Sequence, residues 1–177
     1  MFSGRKLACD PPAVGSTAVC IAAPEQAAEL GSLSRRLIAR VGYKGIGSIE
    51  FKFNRKAGKF IIIEPTVGRT DWQEEIATLC GENIPLITYW AEVGHQMPET
   101  SGAHAEVAWR SSIEHRVPPG LLPPGVRTVD GHFRLADPLP GLYYYGIEKL
   151  PDYVCRRTKQ FMRRPVRAMA AAMRMLP

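Results

Sequence analysis

Apolar and polar positions along the chain follow two rhythms, one of period two and one of helical period. The run 17–23 (Thr-Ala-Val-Cys-Ile-Ala-Ala) predicts a strand, and Pro24 after it suits the first turn of a helix. From 25 to 41 the positions Ala28, Leu30, Leu33, Leu37, Ile38 and Val41 recur at helical spacing. They predict a helix packed on one side, with Arg35, Arg36 and Arg40 outward and Gly42 as its stop. Two strands follow at 46–53 and 59–64, joined by a turn at 54–58. Thr70-Asp71-Trp72-Gln73 offers a capping-box start, and Glu74 and Glu75 suit the positive end of a helix that Gly81 ends. Asn83 caps the next, with Pro85 in its first turn and Leu86, Ile87 and Trp90 on one side.

Beyond residue 96 the pattern loosens. The pairs Pro118-Pro119 and Pro123-Pro124 and scattered glycines predict a loop-rich stretch with a short strand near 107–111. Asp137-Pro138-Leu139-Pro140-Gly141 reads as a turn cluster and Tyr143-Tyr144-Tyr145 as a packed strand.

The two central strands form a hairpin when paired about Ala57. Phe53 then faces Ile61, Phe51 faces Ile63 and Ile49 faces Pro65, an apolar face expected on the core side. On the other face Lys52 meets Ile62, and Glu50 meets Glu64. Like charges directly opposite each other destabilise a sheet. Three arrangements relieve them: a divalent cation held by both carboxylates, a shared proton, or simple solvation on an outer face.

Charge divides the chain. All 17 acidic residues lie at or before Asp152, beside 16 basic ones, so this part carries −1. Seven basic residues and no acid follow it. The pattern is a near-neutral domain with a basic tail, which argues against a uniformly basic nucleic-acid binder. The tail mixes Val154, Phe161, Met162, Val166, Met169 and Met173 with its arginines. It reads either as an amphipathic contact for an acidic membrane surface or as a solvated terminal helix, interrupted at Pro165. No apolar run approaches membrane-spanning length and no signal peptide is evident, so the expected location is the cytoplasm, with reduced thiols at Cys9, Cys20, Cys80 and Cys155. His95, His104, His115 and His132 show no metal-ligand spacing, and neither a P-loop nor a Gly-x-Ser-x-Gly elbow occurs.

Gly45-Ile46-Gly47-Ser48-Ile49-Glu50-Phe51 followed by Phe60-Ile61-Ile62-Ile63-Glu64-Pro65-Thr66 resembles the metal hairpin of the ATP-grasp superfamily. The resemblance spans about residues 2–94, with its specific part at 45–69, and is nearest to carboxylate–amine ligase-like members. It implies that Glu50 and Glu64 ligate Mg²⁺ (or Mn²⁺) bridging the phosphates of ATP. Thr66 stands where that family usually has Asn, and its hydroxyl can still serve a metal or a bound water. Arg69 falls near the family's following basic residue, a contact for phosphate or acyl phosphate. Arg5 and Lys6 match phosphate or carboxylate contacts on the segment before the hairpin; composition alone makes them a solvated basic end. Lys52 shares the Glu50–Glu64 face and reads as a cofactor contact or a simple salt bridge.

The fold class expected is α+β: an antiparallel sheet with helices on one face over residues 1–95, as in the C-terminal part of the ATP-grasp fold. A loop-rich extension (96–152) and the basic tail (153–177) follow. The function implied is ATP-dependent ligation of a carboxylate substrate to an amine substrate through an acyl phosphate. The family's adenine-contacting lobe has no counterpart in this sequence, which is expected of either a truncated gene product or a lobe supplied by a separate chain, and this chain alone is expected to be inactive. The alternative is a non-catalytic remnant of the fold that serves as a binding or regulatory module.

Overall fold

A computed structural model describes residues 1–96, 107–117, 120–151 and 153–155. They belong to two units, 1–131 and 132–177. The first is a mixed α+β unit with two separate sheets. The strands of residues 1–95, expected in one antiparallel sheet, are therefore divided between two, and the parallel pairing lies beyond them at 107–130.

The larger sheet has the order β1 (Gly4–Asp10), β2 (Ser16–Ala22), β5 (Val107–Arg110), β6 (Arg127–Asp130). β1 pairs antiparallel with β2, β2 antiparallel with β5, and β5 parallel with β6. The apolar run read as a strand becomes the central β2, whose Thr17 to Ile21 are all buried. β5 is the strand expected near 107–111. β6 has only four residues and a polar, charged sequence, so no local pattern announced it. Arg110 and Asp130, opposite each other in the parallel pair, lie 3.4 Å apart as an ion pair whose geometry is not that of a hydrogen bond.

The core lies against one face of this sheet. Cys20, Val107, Trp109 and Val129 meet Ile76 and Cys80, with Phe2, Ala22 and Leu79 at the margin. Ile76 belongs to α2 (Glu75–Leu79), a helix shorter than expected. Its N-cap position is Glu74 rather than Thr70, and residues 72–74 form a turn before it. The helix still ends at Gly81, whose φ of 93° suits glycine.

A 3-10 turn (Pro24–Gln26) leads into α1 (Ala27–Val41), which Gly42 ends in the left-handed conformation. Its buried positions are Gly31 and Ser34, while Ile38 and Val41 are exposed. The packed stripe is thus rotated from the one the apolar residues predict. The Met1 side chain occupies the space that a Cβ on Gly31 would need, and the Ser34 hydroxyl donates to the Leu30 carbonyl at 2.8 Å. α3 (Ile84–Glu92) starts as expected, with Asn83 Oδ1 accepting from the Leu86 amide at 3.0 Å.

The second sheet is the hairpin of β3 (Gly47–Asn54) and β4 (Lys59–Val67). Its apolar face was expected in the core, yet Phe53 and Ile63 are 49% and 54% exposed. The hairpin stands beside the core rather than in it.

In the second unit α4 (Leu139–Tyr143) continues into a wide helical turn, Tyr144–Lys149. The tyrosine run is therefore helical, not a strand; Tyr144 stacks on His132 with centroids 3.6 Å apart. Among the described residues no helix is long and apolar enough to cross a membrane. His104, Pro118-Pro119 and the tail from Arg156 onward lie outside the described residues.

Candidate functional site

The hairpin turn sets the first half of the register. Asn54 Oδ1 accepts from the amides of Lys56 and Ala57, at 3.0 and 3.1 Å, and Gly58 takes a φ of 60°. This four-residue loop pairs Asn54 with Lys59, Phe53 with Phe60, Lys52 with Ile61 and Phe51 with Ile62. Each of these pairings is one residue off the expected alignment about Ala57. Continued unchanged, the ladder would place Glu50 opposite Ile63.

A β-bulge intervenes. Ile63 is the extra residue, and beyond it Glu50 pairs with Glu64, Ile49 with Pro65 and Ser48 with Thr66. The facing carboxylates expected from sequence are present, but a bulge puts them there. Ser48, Glu50, Lys52, Ile61, Glu64 and Thr66 share one face. Ile49, Phe51, Phe53, Phe60, Ile62, Pro65 and Val67 share the other, where Phe60 meets Phe53 and Phe51 edge-on at 5.0 and 6.5 Å.

Lys6 reaches this polar face from β1. Its ammonium lies 3.3 Å from both carboxylate oxygens of Glu50. An exposed pair of this kind adds at most about 1 kcal/mol to stability. Its larger effect is on charge, because one cation offsets part of the Glu50–Glu64 repulsion. Lys52, on the same face and exposed, makes no ion pair with either carboxylate among the described residues. Arg5 is exposed and, as the neighbour of Lys6 in β1, points to the opposite face of that strand. Arg69 is exposed and donates to the Thr70 carbonyl at 3.3 Å; Thr66 is half-buried beside Glu64. The structure thus gathers Lys6, Glu50, Glu64 and Thr66, and leaves Arg5 apart.

Three residues hold the hairpin base, and sequence reading assigned them no such role. Tyr43 Oη donates to the Ile46 carbonyl at 2.6 Å and accepts from the Gly68 amide at 2.9 Å. Asp71 accepts from the Ser48 hydroxyl at 2.7 Å and from Gln73 at 3.2 Å. The next residue, Trp72, donates its indole N–H to the Thr17 carbonyl at 3.1 Å and meets Trp109 edge-on at 5.4 Å. Ser48, Asp71 and Trp72 therefore link the polar face of the hairpin to the central strand β2. The signal available in sequence was the polar residue Ser48 two positions before Glu50; its distant partner was not legible.

His115 also has partners that its spacing did not reveal. Its Nδ1 lies 2.7 Å from Ser111 Oγ and its Nε2 lies 3.2 Å from Asp10 Oδ2. The three residue types are those of a nucleophilic triad, but the exposure is reversed. Ser111 is buried at 3% and the Asp10 side chain is 64% exposed. A nucleophile must meet substrate, so this trio joins the ends of β1 and β5 instead.

No disulfide joins Cys9, Cys20, Cys80 or Cys155. Burial, with Cys80 nearby, pushes the Cys20 thiol up to about 12, and Lys6 opposes this only in part. Burial raises Cys80 too. Neither is suited to act as a thiolate nucleophile.

Two carboxylates and a hydroxyl on one face suit a hard cation that takes its remaining oxygens from phosphate and water. Among the described residues no three His, Cys, Asp or Glu side chains converge to hold a metal by themselves. Comparison with protein-family models, curated proteins and solved structures finds no match.

Proposed function

We propose that the β3–β4 hairpin is one half of a site for a divalent cation and nucleotide phosphates, in a ligase of ATP-grasp type that joins a carboxylate to an amine. The observation that carries this reading is the bulge at Ile63, which turns a ladder otherwise aligning Glu50 with Ile63 into one aligning Glu50 with Glu64. Bulges recur beside active sites, where they re-aim side chains. Lys6 offsets the repulsion of the two facing carboxylates only in part, and a bound cation would relieve the rest.

Glu50, Glu64 and the Thr66 hydroxyl would hold Mg²⁺ or Mn²⁺, which supplies charge neutralisation at the phosphates. Lys6, now on Glu50, is placed to exchange that carboxylate for a phosphate oxygen. Arg69 would contact phosphate or acyl phosphate. Lys52 and Arg5 would add positive charge around the nucleotide without touching the carboxylate pair. In the reaction the terminal phosphoryl group passes from ATP to the substrate carboxylate, releasing ADP. The amine then attacks the acyl carbon and releases phosphate. Glu50 and Glu64 bind rather than exchange protons. The reaction also needs an adenine-contacting lobe placed opposite the hairpin, because it depends on complete positioning.

Calorimetry of Mg²⁺-ATP with the native chain and with Glu64→Gln tests the site. Expected is binding that requires Mg²⁺ and weakens about tenfold, ~1.4 kcal/mol, in the variant. Equal binding by both proteins would overturn the assignment. If neither binds alone, supplying the complementary lobe in trans should restore binding to the native chain but not to Glu64→Gln.

A second reading is a non-catalytic module that binds nucleotide without turnover. Thr66 in the usual place of Asn, and only two carboxylates on the face, favour it. Binding in the reconstituted assembly without ADP release in the presence of carboxylate and amine would select it.

A further inference from the structure

The second unit carries all of the excess charge of the chain. Residues 132–177 hold nine basic and three acidic side chains, an excess of six that equals the net charge of the whole protein. Seven of those nine follow Cys155, with no acid among them.

Immediately before that basic run lies a helical segment with an uncovered apolar stripe. Leu139, Tyr143, Ile147 and Leu150 recur at spacings of four, four and three, with Leu142 next to Tyr143, and each of the five is more than half exposed. Leu139 reaches 72% and Ile147 62%. On the same segment Gly141 is buried, packed where an added Cβ would lie 2.6 Å from the Phe133 ring. Gly141 thus faces its own unit while these five large apolar side chains are exposed, with Glu148 the charged residue exposed among them. A helix of a water-soluble unit normally shows the reverse.

We propose that this stripe docks on an anionic lipid surface, with the basic run after Cys155 supplying the attraction to headgroups. Large apolar side chains on one helix face, with a tyrosine beside them and cationic residues next in sequence, match the chemistry of a helix lying in the interfacial plane. A neutral or cationic partner offers nothing to the seven basic residues. An anionic surface engages them and the stripe together.

Co-sedimentation of the full chain with phosphatidylcholine vesicles, with and without phosphatidylserine, tests this. Expected is binding to the phosphatidylserine vesicles that weakens as salt rises. In Leu142→Glu/Ile147→Glu it should fall about tenfold or more. Both positions are exposed, so the circular-dichroism spectrum should be unchanged; Leu139→Glu alone is the milder control. Equal binding to neutral vesicles would overturn the proposal, and so would undiminished binding of the double variant, which assigns the contact to the basic run alone. Absence of lipid binding, with self-association that the double variant abolishes, would make a second copy of the chain the occupant and would equally overturn it. Preference for RNA over phosphatidylserine vesicles in direct competition would do the same.

Discussion

An added Cβ at Gly47 would lie 2.7 Å from the Thr66 carbonyl oxygen, a backbone atom that cannot turn aside. Gly47→Ala is therefore expected to destabilise the protein by about 1–3 kcal/mol, read as a lower urea midpoint. Tyr43→Phe removes a donor and an acceptor at the same place and should cost about 1–2 kcal/mol. The buried Cys20 thiol gives a pH dependence of definite sign. An unfolded chain releases this proton near the ordinary value of 9.0, the folded chain near about 12. Stability is thus unaffected below the lower value and falls between the two as pH rises. The slope should approach ~1.4 kcal/mol per pH unit from this thiol, with Cys80 adding in the same direction. Urea midpoints across that range check it, and Cys20→Ala should show a shallower fall. Ser111, buried under His115, should resist a fluorophosphonate probe. At this scale the caps Gly42 and Asn83 were legible because their partners are a turn away. Tyr43, Asp71 and His115 were not, because their partners lie elsewhere in the fold.

Among the elements, the hairpin shows what pattern alone can and cannot fix. Alternation located both strands and the facing glutamates, but the alignment needed two facts that alternation does not carry. The loop has four residues, and Ile63 is unpaired. Either error alone would have separated Glu50 from Glu64; the assumed alignment about Ala57 placed them together by the one register that the bulge restores. The stripe of α1 was misjudged because small residues carry no apolar signal yet form its closest contact, and β6 was missed because four polar-flanked residues have no periodicity to show. Lys6 yields an element-level prediction. Lys6→Met frees Glu50 from its ion pair, so binding of Mg²⁺ alone should tighten while binding of Mg²⁺-ATP weakens. Parallel calorimetric titrations read the two opposite shifts. Changes of the same sign would mean that Lys6 does not pass between carboxylate and phosphate.

For the molecule as a whole, protection from hydrogen exchange should be graded. The amides of β2 and β5, in the buried middle of the larger sheet, are expected to exchange slowest. Those of β3 and β4, in a two-stranded sheet with half-exposed phenylalanine and isoleucine side chains, should exchange well before them. Mass-resolved exchange over the peptides 16–22 and 59–67 compares them directly. The α+β class was legible from the alternation of strand and helix patterns. The division into two sheets was not, since nothing in a strand's own residues states which neighbour it will pair with.

That pairing order has a consequence for synthesis. β2 is central, yet its partner β5 begins more than eighty residues after β2 ends. At ~5–20 residues per second a ribosome takes roughly 4–17 s to make the stretch between them. For that interval the nascent chain can close the β1–β2 and β3–β4 hairpins, but Val19 and Ile21 lack the strand that covers their edge. The β2 segment is then the one most open to a chaperone or to a neighbouring nascent chain, and slower translation of the span 23–106 should lower the yield of soluble protein.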